Sequence, residues 1–339
     1  MSDAPAPEPS PRRWPLRLGL GTAGLFLLGF SALGWWWSQE PKAFSVTDAA
    51  AAHAQERNRP LVTGYVTAHT LLNLAHTLLD KPGGYLSNDV LPPGVLVDNM
   101  PNWEFGVLVQ IRDMARIMRN DLSRAQSQSA EDPALAEAEG KFFFDNSSWL
   151  FPQTEDEYRD GARLLEDYLG RLSDPTQRNA QFYARADNLR AWLATVDTRL
   201  GSLSQRLSNA VGRRQLDTAL AGDPAARQAT ARPNESDEKT PWLEIDDVFY
   251  EARGQSWALL HLLRAVETDF QDVLVNKNAL VSLQQIIRDL EPTQDAIWSP
   301  MIVNGSGFGF LANHSLVMAS HIARANAAIS DLRDLLAQG

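Results

Sequence analysis

Tyr85, Asp89, Asp98, Trp103 and Glu104 place two rings and three carboxyls in one stretch, PGGYLSNDVLPPGVLVDNMPNWEFGV (82–107), that is otherwise rich in Gly, Pro and Asn. Two kinds of chemistry suit them. A pair of carboxyls can act as general acid and base on a glycan if their spacing is right. Trp103 and Tyr85 can anchor a recognition surface, and a loop stiffened by prolines loses little entropy on meeting a ligand. Each oddity also has an architectural reading. Pro82-Gly83-Gly84 stops a helix, Pro92-Pro93-Gly94 forces a turn, and Asn99 or Asn102 can cap the next helix near Pro101. The aromatic and acidic residues are left over, on a connection long enough to suggest a functional role.

Beyond the loop, Arg112, Arg116 and Arg119 form a basic stripe suited to a carboxylate or phosphate, offset by Asp113 and Asp121. Pairing with acidic neighbours such as TEDE (154–157) is the competing reading. The histidines fall as His69 with His76 and His314 with His321, each pair seven apart and so two turns apart on one helix face. One metal ion cannot bridge such a pair on a single helix, so packing roles are expected. NGSGFGF (304–310) offers glycines that can cradle an anion, yet no Lys or Arg accompanies them, and a turn before the last helix is expected. The HExxH, GxSxG, GxxxxGK[ST] and GxGxxG motifs are all missing. No catalytic residue, metal ligand or cofactor is nominated, and a non-enzymatic role is expected.

These residues need elements to position them. LGLGTAGLFLLGFSALGWWW (18–37) is an uncharged apolar run which as a helix spans about 30 Å, the thickness of bilayer hydrocarbon. Arg12, Arg13 and Arg17 precede it, so residues 1–17, a Pro-rich tail, are expected in the cytoplasm and the bulk beyond the bacterial inner membrane, in the periplasm. Trp35, Trp36 and Trp37 suit an uncleaved anchor ending at the interface; a cleaved signal ending near Ala32-Leu33-Gly34 is the alternative. Three Arg against Asp3 and Glu8 give residues 1–37 a charge of +1, so a net −11 leaves −12 for the remainder. That surface repels phosphate backbones, and nucleic acid is excluded as a partner. Cysteine is absent, so stability must come from packing.

Helical spacing dominates the rest. It predicts helices over 59–80 and from Trp103 to Leu122, and a short helix opened by Asp132-Pro133. TEDE reads as a capping box opening a helix to about Leu172, and Asp174-Pro175 as a second N-cap pair. A four-three seam from Phe182 to Ala210 predicts one long helix, and similar seams follow from Ile245 to Phe270 and from Met318 to Leu336. The chain is therefore expected to be all-α: an N-terminal transmembrane helix, then an elongated antiparallel bundle of long helices. A helical region 38–213 carries the 82–107 loop, 214–241 is a mobile linker or hairpin tip, and 242–339 packs back on the first region. The same seams allow a homo-oligomeric coiled coil.

PGGYLSND, PPG, DNMPNWEFGVL, RDMARIMRNDLSRAQSQSAED and FFFDNSSWLFPQTEDEY together resemble a bacterial family known as domain of unknown function 2333. The resemblance implies a membrane-anchored envelope protein and no activity. The expected function is a scaffold or partner-binding module whose partners are the inner membrane, through Leu18–Trp37, and an envelope protein or cell-wall component. An envelope hydrolase using Asp98 or Glu104, and a purely structural spacer, are the alternatives.

Overall fold

Helix α1, Trp14–Trp37, stands almost bare. Its side chains from Leu25 to Leu28 are 70–71% exposed, and it is the one helix among the described residues long and apolar enough to cross a membrane. The computed structural model describes residues 14–125, 130–177, 179–211, 213–216, 235–299, 301–305 and 312–338.

Among the described residues, ten further α-helices build the body: α2 (Val46–Glu56), α3 (Tyr65–Asp80), α4 (Asn99–Ile117), α5 (Pro133–Phe142), α6 (Thr154–Ser173), α7 (Ala186–Ser208), α8 (Ile245–Asp269), α9 (Gln271–Asn276), α10 (Leu280–Leu290) and α11 (His314–Ala337). Arg213–Leu216 pairs antiparallel with Glu235–Glu238, closing the segment 214–241 expected as a mobile linker, whose residues 217–234 lie outside the described ones. One core runs from Val46 to Leu336, so helices before and after that segment share a single apolar interior.

Helix directions follow from side-chain contacts at the ends. Asp269, at the end of α8, accepts from Gly64 N (2.8 Å) and from Thr67 N and Oγ1 (2.7 Å each) at the start of α3. Lys81, just past the end of α3, pairs with Glu104 near the start of α4. Asn102 Nδ2 then donates to Asp247 Oδ1 at 2.6 Å, joining the starts of α4 and α8. Thus α3 opposes both, while α4 and α8 run parallel, a departure from a purely antiparallel bundle that the long intervening chain permits. Helix α7 opposes this pair through Arg199 with Asp113 (2.7 Å) and Arg206 with Glu251 (2.5 Å). Helix α11 opposes α7 through Arg333 with Asp197 at 2.6 Å.

Several predicted boundaries shift for local reasons. The seam from Phe182 begins as helix only at Ala186, because Tyr183 N is committed to Leu122 O at 2.7 Å in an extended segment. TEDE does not form a capping box. Thr154 is already inside the helix, and its hydroxyl donates to Asp145 O (2.8 Å) and Ser148 O (3.1 Å). Asp174 closes a turn on Thr176 and opens no helix. Asp132 caps as expected, accepting from Ala134 N and Leu135 N at 3.0 and 3.2 Å, and also takes a bidentate Arg171. Asp132→Ala should therefore lower the unfolding free energy by about 2 kcal/mol in a denaturant titration, and Asn, which keeps a capping oxygen, by less.

Candidate functional site

The 82–107 stretch sits where α1 meets the body. A Cβ placed on Gly34 would lie 3.8 Å from Pro93 Cβ, and one on Gly83 would fall 2.7 Å from Trp37 Cγ. Gly83 has φ +89°, a conformation in which L side chains are strained, so both its backbone and the indole above it call for glycine. The Pro/Gly loop thus lies against the last turn of α1.

A buried ion pair holds it there. The side chains of Lys81 and Glu104 are 1% and 0% exposed. The Lys81 ammonium reaches both the Glu104 carboxylate and Gly84 O, while the carboxylate accepts from Leu86 N and Ser87 N at 2.8 Å and from the Ser87 hydroxyl. Burial pushes the Glu104 carboxyl above its ordinary range, and Lys81 with the loop donors opposes that shift. Glu104 is therefore a latch within the protein, with no face open to a substrate.

The other expected residues separate. Helix α4 begins at Asn99, capped by Asp98, so Trp103 and Glu104 belong to its first turns and not to the loop. Pro101 sits there at no cost, because N–H groups of a first turn lack helical partners anyway. Trp103 is fully buried against Trp257, ring centroids 5.2 Å apart. Tyr85 is buried edge-on to Tyr158 and donates to Asn146 O at 2.9 Å; burial raises its phenol well above the ordinary value. Neither ring is presented to a partner, which corrects their expected role as exposed anchors. Asp89 is half-buried close to Gly94, its carboxyl raised by burial and then by the charge of Glu155. Asp98 faces solvent.

The arginine stripe is engaged within the protein, mostly by α5 and the residues flanking it; of the TEDE helix only the Tyr158 hydroxyl takes part, accepting from Arg112 at 3.2 Å, and none of the 154–157 carboxylates does. Arg112 donates to Phe142 O (2.7 Å) and Phe144 O (2.8 Å). Arg116 meets Glu139 at 3.0 Å, and Arg119 meets Glu139 at 2.9 Å and Glu131 at 2.7 Å. The histidine pairs also part. Buried His69 lies against His53 with the rings tilted (centroids 4.6 Å apart), its pKa lowered by burial to about 4, while His76 meets Asp80 at 3.4 Å. His314 Nδ1 accepts from Val303 N, and His321 Nδ1 lies 2.6 Å from Arg324. Of NGSGFGF, residues 306–310 lie outside the described ones.

What the sequence reading missed lies beside the loop. Asn88 Nδ2 donates to Ser148 O (2.9 Å) and Glu155 (2.7 Å), bringing the 143–153 connection against the loop. Arg253, 7% exposed, binds Glu40 at 2.6 Å and the carbonyls of Thr293 and Asp295, tying the chain leaving α1 to α8 and to the 291–299 connection. On the resulting face, Leu91, Leu96, Phe151, Trp242 and Trp298 are 73–95% exposed. Prolines flank these positions in sequence (Pro92, Pro152, Pro241, Pro300), and apolar residues in proline-punctuated loops were the available signal.

A helical body hung from one helix able to cross a membrane is the class of protein these features define. The chain belongs to the family described as "uncharacterized protein conserved in bacteria (DUF2333)", whose model matches residues 14–339. No curated protein and no solved structure matches it.

Proposed function

We propose that this is a single-pass inner-membrane protein, its tail cytoplasmic and its body periplasmic, that serves as a scaffold or partner-binding module of the cell envelope. The observation that carries the reading is the bare α1, joined to the body at its last turn, with Arg12, Arg13 and Arg17 before its apolar run and an acidic remainder after it. A body whose Lys81–Glu104 pair and arginine stripe are engaged internally is a rigid platform. Support for the hydrolase alternative is correspondingly weak, since Glu104 is sealed and Asp98 caps a helix in solvent. A carboxyl-terminal alkaline phosphatase fusion should be active and a fluorescent-protein fusion of a kind that matures only in the cytoplasm dark; the reverse pattern overturns the orientation.

The Arg stripe supplies a second check. Arg116 is half-exposed and Arg119 also pairs with Glu139, so Arg116→Gln should change stability by no more than about 1 kcal/mol in a thermal melt. Affinity purification from gently solubilised membranes should then recover a defined envelope partner with the wild-type chain, and the variant tests whether that face contributes. If the purified chain carries only further copies of itself by mass measurement, the spacer alternative replaces the binding-module reading.

A further inference from the structure

The directions of the helices bring a set of connections to one end of the body, the end from which α1 departs. The loop 81–98 lies between the end of α3 and the start of α4, and 143–153 follows α5, which opposes α4 through Arg119 with Glu139 and Arg112 with Phe142 O. Residues 239–244 precede α8, and 295–305 precede α11. Each of these connections carries exposed apolar side chains: Leu91 and Leu96, Phe151, Trp242, and Trp298. At the opposite end, among the described residues, the exposed large apolar side chains are Leu61, Val275 and Val281, and none is Phe or Trp.

Depth supplies the second observation. Gly34 precedes Trp37, the end of the apolar run, by three residues, or about 4.5 Å along a helix. Pro93 and Val97 pack at the level of Gly34, so the loop reaches slightly past the end of the span toward the bilayer, level with Trp35 and Trp36. Exposed Trp and Phe beside Leu are the composition that settles into the interfacial layer of a membrane.

We infer that this apolar rim is a membrane-seating face, dipping into the interface of the leaflet from which α1 emerges and holding the body down on the bilayer. The inference rests on the reading that α1 spans a membrane, and it is independent of which compartment the body occupies. Apolar burial drives the seating. Asp98, Asp246 and Asp247 stand close to the Trp242 sector and would repel anionic headgroups, so the surface recognised is the apolar margin of the lipid. Those carboxylates also keep insertion shallow in that sector. The ordered 81–98 loop, latched by Lys81 and Glu104, acquires a purpose in this arrangement: it presents Leu91 and Leu96 at a fixed height.

The chain has no cysteine, so single-cysteine variants of the full-length protein can be labelled with an environment-sensitive fluorophore. Leu91→Cys, Phe151→Cys and Trp298→Cys report on the rim, and Val281→Cys on the far end. All are exposed positions, and melts matching the wild type confirm the fold. In nanodiscs of pure phosphatidylcholine, the rim labels should be blue-shifted and quenched several-fold more than the Val281→Cys label by lipids spin-labelled near the headgroup, with no change in high salt. Rim labels no more quenched than the far-end label overturn the inference. Labels shielded in native membranes but unquenched in nanodiscs overturn it too, and assign the rim to a protein partner. Resistance of the wild-type chain to alkaline extraction of membranes checks α1 separately, so failure of the anchor and failure of the rim are told apart.

Discussion

Lys81→Met should lower the unfolding free energy of the detergent-solubilised chain by about 3–5 kcal/mol, because it leaves the Glu104 carboxylate buried without its counter-charge. Lys81→Met combined with Glu104→Gln should lie closer to the wild type, since both charges are gone, although the amide keeps one oxygen and so satisfies only one of Leu86 N and Ser87 N. Denaturant titrations of the wild type, the single and the double variant measure this directly. A single variant within about 1 kcal/mol of wild type would show that the pair is open to water.

The pH dependence of the single variant has a defined sign. Burial already raises the Glu104 carboxyl above its unfolded value, and removing Lys81 removes the main opposing influence, so the shift grows. A carboxyl whose folded pKa exceeds its unfolded pKa favours the fold when protonated. The penalty in Lys81→Met should therefore be smallest below the unfolded pKa and grow as pH rises toward the higher folded value. Exposed carboxylates elsewhere contribute equally to wild type and variant, and subtracting one pH profile from the other isolates this group.

Gly254→Ala is the second large effect, and its sign reverses the usual rule. Alanine in a helix interior ordinarily gains about 1 kcal/mol over glycine. Here α4 and α8 cross so closely that a Cβ on Gly254 would lie 2.0 Å from Trp103 O, and one on Gly106 would lie 2.2 Å from Glu251 O. Backbone cannot yield as a side-chain tip does, so the helices must separate and loosen the contact between Trp103 and Trp257. The expected loss is about 1–3 kcal/mol or more, read as a lowered midpoint in a thermal or denaturant scan. Gly140→Ala is the control. Nothing lies within 4 Å of a Cβ there, on the exposed face of α5, and a gain of up to about 1 kcal/mol is expected. Equal responses at the two glycines would mean that the close crossing is absent.

Local information sufficed for much of this protein. Continuous apolar character over 18–37 marks α1 as a helix able to cross a membrane, and recurrence at three and four residues marks α3, α4, α7, α8 and α11, because both properties are carried along a single helix. The Asp132 cap was readable for the same reason: a side chain and the amides two and three residues on are neighbours in any sequence. The fate of the candidate residues was different. Glu104 found Lys81 across the loop, Trp103 found Trp257 more than 150 residues away, and the Arg stripe found Glu139 on α5 and Glu131 just before it in preference to the TEDE carboxylates. Residue type names the chemistry a group can offer, but burial and partner depend on which elements pack together, and the crossing of α4 with α8 through Gly106 and Gly254 is a meeting of distant segments. Tertiary packing therefore turned Tyr85, Trp103 and Glu104 inward and left the plain aliphatic residues of the loop, with the rings of three other connections, facing outward at the end from which α1 departs.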